Sequence, residues 1–566
     1  MQNNGRHANL LMGRIDWEAA QEAIHVKDNG LSDGILNLYV QRAPGGVFKG
    51  DAVYHDESAG LSCAMIGYVS GMDEMQSAYG SVDDLQAVAA MFRRKALDFV
   101  YHLEGVFSIF IWDHVQKMGY IVQDQYGSNL PLYYSLAGGF CFSTSLKRLL
   151  GWNPCDRRLN RTAVRDFLYH KTIIPNETTL IENIYKLVPG HYLIIDRNRR
   201  SVQVRALRKD PRKVARRYAK ANLVACIEDR VKTLLERMAP GRLACALSGG
   251  FDSTLLLHTV AAHARSSEIT AVTVGGQDIN EVPQAQKTLL FYPQVAHRHK
   301  RIEADELERL PDIVWRLEGY VFEAGIFLQY ELARILAANA LDIIFLGDGA
   351  DQQLDRYRFS IPRRVIEKSK QILRLTPLMD FHYRFLKRRR IRPSCRFRIR
   401  HQFKRRNSGM LEDPALDFIL KKNGLMLNSF CIEGVYPFLD KELKTLSEAL
   451  GRLNSHKRFY KSAVTRVLGP AKAEHLVKIG GGTDVEYLVR DKLPWLQRFL
   501  DSDFVATLLT VRQIRDVKSR PEEYSEFVIQ LLYLYLFSQL FVSGRFDSRF
   551  SEPCLDIPLS DFLVRM

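Results

Sequence analysis

Between Leu243 and Thr254 the chain reads Leu243-Ala244-Cys245-Ala246-Leu247-Ser248-Gly249-Gly250-Phe251-Asp252-Ser253-Thr254, then continues into Leu255-Leu256-Leu257. The short apolar run predicts a buried strand, Ser-Gly-Gly a turn, and the residues after it a helix. A helix that starts at such a turn presents N–H groups without intrahelical partners, and the positive end of its dipole lies at the same place. That combination binds phosphate. Gly249 and Gly250 let the backbone approach an anion, Ser248 and Ser253 add hydroxyl donors, and Leu247 closes the strand beneath them. Asp252 can hold a Mg²⁺ ion that neutralises a pyrophosphate. The spacing is not that of the Walker loop, which has four residues between its glycines and then Gly-Lys.

The elements that must carry this loop change character along the chain. From Leu61 to about Asp196 short alternating or apolar runs are broken by turn residues, as in Gly105-Val106-Phe107-Ser108-Ile109-Phe110-Ile111-Trp112-Asp113 and His191-Tyr192-Leu193-Ile194-Ile195-Asp196, which predicts a β-rich unit. After a polar, basic connection around 205–217, helical patterns alternate with short apolar strands, for example Leu341-Asp342-Ile343-Ile344-Phe345-Leu346 after a helical run from Leu328 to Ala340. The expected organisation is a β-rich domain over 1–205 and an α/β domain with a parallel sheet over 218–550. There is no internal repeat.

At 566 residues and 46% hydrophobic, the chain has material for two cores. Its eight cysteines are scattered singly, with no CxxC pair, and read as reduced thiols rather than a disulfide frame or a metal site. The opening residues lack the apolar core of a signal peptide, and no run of about 18 apolar residues free of charge predicts a membrane span. A cytoplasmic protein is expected. The net charge of +16 is concentrated between Arg356 and Arg406, where 19 Lys and Arg face only Glu367 and Asp380 and are interleaved with aromatics such as Phe381, Tyr383 and Phe385. Such a tract suits an acidic peptide, a partner protein or nucleic acid, or is a solvated insertion.

Ser-Gly-Gly-x-Asp-Ser after a strand resembles the pyrophosphate loop of the ATP pyrophosphatases, which cleave ATP between the α and β phosphates. Further segments resemble asparagine synthetase, in that family's order. They are Leu103-Glu104-Gly105-Val106-Phe107, Asp124-Gln125-Tyr126-Gly127, Leu187-Val188-Pro189-Gly190-His191, Leu346-Gly347-Asp348-Gly349-Ala350-Asp351 and Tyr436-Pro437-Phe438-Leu439-Asp440. The resemblance implies an N-terminal glutaminase-like, Ntn-type β sandwich and a C-terminal ATP-pyrophosphatase domain. It also implies ATP and Mg²⁺ as cofactors, with Asp252 and Asp351 as metal ligands. Gly347 falls in the second Gly-rich loop, and Lys478 matches the lysine that steadies charge on phosphorus. Val274, at the end of the next strand, is expected to contact adenine. Glu318, Tyr320 and Glu323 fall where relatives keep substrate-contacting residues, and a plain helix-face role is the alternative for them.

Asparagine synthetase draws ammonia from glutamine with an N-terminal cysteine. This chain begins Met1-Gln2 and has no Cys, Ser or Thr in its first thirty residues, so the N-terminal domain is expected to be catalytically silent and the amine to come with the substrate. β-Lactam synthetases and lasso peptide cyclases are built this way. The divergent N-terminal domain, Gln352-Gln353 after Asp351, and Lys478 running into Gly480-Gly481-Gly482 resemble the lasso cyclases most. That resemblance implies a core peptide as substrate, with a leader peptidase and a leader-recognition protein as partners. A small-molecule amide or β-lactam synthetase would share the ATP residues. An RNA-modifying pyrophosphatase would account for the basic tract but not for the glutaminase-like half, and a non-enzymatic scaffold would not need the intact loop.

Overall fold

The computed structural model describes residues 9–563 apart from 21, 28, 43–51, 71, 82, 128–129, 153–156, 171–176, 208–214, 239–240, 265–267, 277–279, 355–413, 478–487, 489–492 and 521–523. The basic tract and Lys478 therefore lie outside the described residues.

The first half is built from antiparallel strands: β1 (Leu10–Ile15), β2 (His25–Lys27), β3 (Gly30–Ser32), β4 (Leu36–Gln41), β5 (Val53–Asp56), β6 (Leu61–Ser70), β7 (Glu104–Asp113), β8 (Met118–Gln123), β9 (Tyr133–Ser135), β10 (Phe140–Ser143), β11 (Tyr185–Lys186), β12 (His191–Asp196) and β13 (Ser201–Ala206). They form two sheets, ordered β11-β9-β10-β1-β4-β3-β2 and β13-β12-β8-β7-β6-β5. The side-chain alternation of a strand explains how they stack. Ala64, Ile66 and Tyr68 of β6 face Leu36, Leu38 and Val40 of β4 in one core, while Cys63, Met65 and Val69 pack with Leu85, Val88 and Met91 of the helix Asp84–Lys95 in another. Being covered on both faces makes β6 and β7 nearly continuous in apolar residues.

The second half is wound on a parallel sheet of β14 (Arg242–Ala246), β15 (Glu268–Gly275), β16 (Ala296–Arg301), β17 (Ile343–Phe345) and β18 (Glu433–Val435). Its order is β16-β15-β14-β17-β18, with every pair parallel. The chain leaves β14 in one direction to β15 and β16, then returns to place β17 and β18 on its other side. β14 therefore ends at the switch point of the sheet, where α/β folds open a crevice beyond the strand ends. The two-part fold expected from the sequence, an antiparallel sandwich joined to a parallel-sheet domain, is the one observed.

The halves are tied by buried polar contacts. Arg237 and Asp84, 3% and 2% exposed, pair at 2.6 Å, and Glu318 accepts from the Ser145 hydroxyl at 2.6 Å and from the Leu146 N–H at 2.7 Å. Among the described residues, the helical stretch Ser525–Val542 is long and apolar enough to cross a bilayer by length and composition, but 78% of it is buried inside the protein. It is a core helix here: Tyr533 stacks on Phe167 of the sandwich half, and Phe537 packs against Phe541.

Candidate active site

The loop after β14 takes the form its residue types require. Leu247 extends the strand by donating to the Val272 carbonyl at 3.0 Å, and its own carbonyl accepts from the Thr273 hydroxyl at 2.7 Å. Ser248 and Ser253 hold the two ends of the loop together, with their hydroxyls 3.0 Å apart and the Ser248 N–H donating to Ser253 Oγ at 3.2 Å. Gly249 has φ +73°, and a Cβ there would lie 2.6 Å from Gln284 Cγ and 2.8 Å from the Gln284 carbonyl. Only glycine satisfies both conditions. Gly250 precedes the helix Phe251–His263 and makes no side-chain cap, so the first N–H groups of that helix stay available to an anion.

Beside it, β17 leads through Leu346 into the loop Gly347-Asp348-Gly349, and Asp351 sits in the first turn of the short helix Ala350–Leu354. The two loops touch: a Cβ on Gly347 would stand 3.8 Å from Asp252 Cβ. Between the carboxylates lies a residue that the sequence reading did not select. Lys457 Nζ is 2.6 Å from Asp252 Oδ2 and 2.8 Å from Asp351 Oδ1, with its side chain 5% exposed. Burial pulls this ammonium toward neutrality, but the two carboxylates outweigh it and hold its pKa above the usual lysine value. Lys457 reaches this place through a left-handed turn, with φ +56° at His456 and +57° at Lys457, immediately before the helix Arg458–Leu468. Asn454 pins that turn, donating to the Leu354 carbonyl at 2.7 Å and accepting from the Tyr460 N–H at 2.9 Å.

These groups line one cleft of about 600 Å³ at the switch point. Leu247, Val274, Leu328 and Leu332 give it an apolar wall. Ser248, Asp252, Asp351, Lys457 and Lys461 give it a charged one. The donor set fits Mg-ATP: a slot of low polarity suits a base, and the hydroxyls, glycine backbone and lysines suit a polyphosphate. Asp252 Oδ1 is buried without a hydrogen-bond partner among the described residues. Among those residues no cluster of three or more His, Cys, Asp or Glu forms an all-protein metal cage. One or two carboxylates completed by phosphate oxygens and water is the ordinary Mg²⁺ arrangement.

The structure brings Leu247, Ser248, Gly250, Asp252, Ser253, Val274, Gly347 and Asp351 together around this cleft, while Gly249 turns the loop against Gln284. Of the three residues expected near substrate, Glu323 lines the cleft. Glu318 and Tyr320 do not: Glu318 is spent on Ser145 and the backbone of 146–147, and Tyr320 lies under Lys186, whose ammonium is 4.3 Å from its ring centre. Both belong to the contact between the halves, a tertiary placement that local sequence does not reveal.

In the sandwich half, the two described cysteines, Cys63 and Cys141, are buried strand residues whose thiols burial pushes up to about 12 and about 11. Neither can serve as a thiolate nucleophile. The start of β1 is tied across to the other half. Asn9 accepts from Asn428 at 3.0 Å through its carbonyl and donates through its side chain to Glu433 Oε2 at 2.6 Å. Burial pushes the Glu433 carboxyl up to about 7, only partly offset by the Asn9 bond. Because the folded pKa lies above the ordinary value of 4.5, the protonated form is the one the fold favours. The associated stability is present below about pH 4.5 and is lost as pH rises through about 7, a difference on the order of 3 kcal/mol. Urea unfolding of Glu433→Gln is expected to show a flatter dependence on pH between 5 and 8 than the parent, whereas parallel profiles would contradict the assignment.

A glutamine amidotransferase domain model matches residues 70–205 and an asparagine synthase model matches 225–467. Curated relatives include amidase chry2 of Gibberella zeae, 24% identical over 55% of this chain and 49% of its own length. The putative glutamine-hydrolysing asparagine synthetase 2 of Methanocaldococcus jannaschii is 22% identical over 48% of this chain and 54% of its own. Asparagine synthetase 1 of Bacillus subtilis is 22% identical over 51% and 46%. The chain thus spans about half the length of the curated relatives it matches. Among solved structures, the glutamine phosphoribosylpyrophosphate amidotransferase of B. subtilis aligns with a TM-score of 0.23 at 10% identity, over 53% of this chain and 76% of its own. The amidotransferase match falls on the antiparallel half, and the asparagine synthase match on the half that holds the Ser-Gly-Gly loop, both aspartates and Lys457. The chain is therefore an asparagine synthetase-like protein.

Proposed function

We propose that this protein is an ATP-dependent amide-forming ligase of the AMP-forming kind. More specifically, it closes a macrolactam in a lasso-type peptide by joining an Asp or Glu side-chain carboxylate to the peptide's own N-terminal amine. The observation that carries the first part is the Asp252–Lys457–Asp351 array beside the Ser248–Ser253 loop. An ammonium fixed between two carboxylates at a phosphate-binding turn is preorganised for charge that develops on phosphorus. Asparagine synthetases and amidases, the names of the relatives, are both enzymes of the amide bond, which supports the same reading.

ATP is a substrate in this reaction. The peptide carboxylate attacks the α-phosphorus, the bond to the bridging oxygen breaks with its electron pair leaving on pyrophosphate, and an acyl adenylate forms. The loop N–H groups and the Ser248 and Ser253 hydroxyls hold the departing pyrophosphate, and Lys457 steadies the α-phosphoryl oxygens. Magnesium, held by Asp252 and Asp351 together with phosphate oxygens, would offset further negative charge. The amine then attacks the acyl carbon and AMP leaves. The cysteines described in the sandwich half are inert, which supports an amine that arrives with the peptide. A leader peptidase and a leader-recognition protein are the partners this reading assigns.

The test is to incubate the protein with ATP, Mg²⁺ and linear leaderless peptides, following peptide mass together with AMP and pyrophosphate. Loss of one water coupled to AMP, and abolished in Asp252→Ala, is expected. AMP formation that depends on a small carboxylate and leaves every peptide unchanged would replace the peptide reading with a small-molecule amide synthetase.

A further inference from the structure

The cleft also carries an ion pair, Glu323 with Lys422, that takes no part in the adenylation step. Glu323 Oε1 and Lys422 Nζ are 2.6 Å apart, with side chains 26% and 15% exposed. They come from separate elements: Glu323 precedes the helix Ile326–Ala338, and Lys422 lies on the helix Pro414–Ser429. The carboxylate is held in place. Gly325 N–H donates to Glu323 Oε2 at 3.0 Å, and a Cβ on Gly325 would stand 2.6 Å from Oε1, so a glycine keeps the carboxylate in this position. Burial pushes the Glu323 carboxyl up, but Lys422 and the Gly325 N–H hold it below its ordinary range, so it is ionised at neutral pH. Phe418, Ile419 and Leu328 flank the pair in the same cleft as Asp252 and Asp351.

An ion pair in a partly desolvated cleft gains little net stability from its own Coulomb term. It is suited to exchanging partners with a ligand that brings one charge of each sign. We infer that Glu323 and Lys422 are the acceptor site of the ligase reaction, a role that rests on the function proposed above. Lys422 takes the substrate carboxylate and Glu323 takes the substrate ammonium, so that one charge swap sets the two reacting groups side by side.

The proton balance follows from this arrangement. The ammonium gives one proton to the Glu323 carboxylate, and the nitrogen lone pair forms the C–N bond. The acyl C–O bond to phosphate breaks with its electrons going to the phosphate oxygen, and the second proton leaves with AMP. A substrate without an ammonium leaves Glu323 with only the Gly325 N–H and no cation once Lys422 turns to the carboxylate. The site therefore selects molecules that carry both groups, and a free organic amine outranks ammonia only when it is tethered to the carboxylate.

Glu323→Gln separates the two halves of the reaction. With peptides bearing a free N-terminus and one internal Asp or Glu, ring closure is expected to fall at least about 100-fold, the ordinary cost of losing a positioned proton acceptor. With N-acetylated versions of these peptides, ATP–pyrophosphate exchange should fall far less than ring closure does, and a parental circular dichroism spectrum and melting temperature report that the variant is folded. Hydroxylamine, largely unprotonated near neutral pH, should still trap the adenylate as a hydroxamate. Lys422→Gln is expected to show the opposite split, raising the peptide concentration needed for exchange. Exchange and closure falling together in Glu323→Gln, or loss of hydroxamate in step with closure, would overturn the inference. A parent protein without carboxylate-dependent exchange would count against the proposed ligase itself.

Discussion

Lys457→Met is expected to lower carboxylate-dependent ATP–pyrophosphate exchange by about 10²–10³-fold, the usual effect of removing one preorganised charge stabiliser from a reaction centre. The effect is electrostatic. The ammonium lies within 2.8 Å of both Asp252 and Asp351 and faces the two carboxylates at once. Methionine keeps the length of the side chain and removes the charge, leaving two carboxylates to repel across the mouth of the cleft. This gives a second readout. The variant should unfold at a lower temperature than the parent in EDTA and should regain part of the difference in Mg²⁺, since a divalent ion can neutralise what the lysine did. A variant with parental exchange activity and no added Mg²⁺ response would remove Lys457 from the reaction centre.

Gly249→Ala should disable the same half-reaction for a steric reason. At φ +73° an alanine costs on the order of 1–2 kcal/mol, and its methyl would enter the space of Gln284 at 2.6–2.8 Å. Part of that clash is with backbone, so the loop has to move. A displacement near 1 Å at a reacting phosphate costs on the order of 100-fold in rate. Trimming the Gln284 side chain relieves the contact with Cγ but not the one with its carbonyl, so Gly249→Ala with Gln284→Ala should remain impaired. Recovery in the double variant would show that the side chain alone, and not the approach of the two backbones, makes glycine necessary there.

The parts of this site that were legible in the sequence are those whose chemistry is local. Ser248-Gly249-Gly250-Phe251-Asp252-Ser253 announces a turn, an anion site and a helix start within six residues, and the apolar run before it announces the strand. Gly347-Asp348-Gly349 did the same for the second loop. The sandwich half was legible because β6, β7 and β12 alternate or run apolar between turn residues.

Lys457 was not legible. It stands in the polar stretch Asn454-Ser455-His456-Lys457-Arg458, and it points into the cleft because two consecutive non-glycine residues adopt left-handed backbone, held by Asn454. Neither condition leaves a mark in residue types. A lysine immediately ahead of an amphipathic helix was the one available signal, and it is common on surfaces. Glu318 and Tyr320 failed in the opposite sense. They are close in sequence to Glu323, but a turn with φ +52° at Glu318 and +69° at Gly319 directs Glu318 toward the sandwich half, while Glu323 stays with the cleft. Residues only a few positions apart are separated there by tertiary structure. Asp252 and Asp351, expected from the resemblance to hold magnesium, share the Lys457 ammonium between them, a contact that local sequence does not announce.

The central claim is that a carboxylate on the substrate attacks the α-phosphorus of ATP in this cleft. The most direct measurement uses a substrate whose carboxylate is labelled with ¹⁸O, with the AMP and pyrophosphate recovered after single turnover and analysed by mass spectrometry. The account predicts one ¹⁸O in the phosphate of AMP for each amide formed and none in pyrophosphate. Label in inorganic phosphate, with ADP as the nucleotide product, would place the attack at the γ-phosphorus and contradict the account.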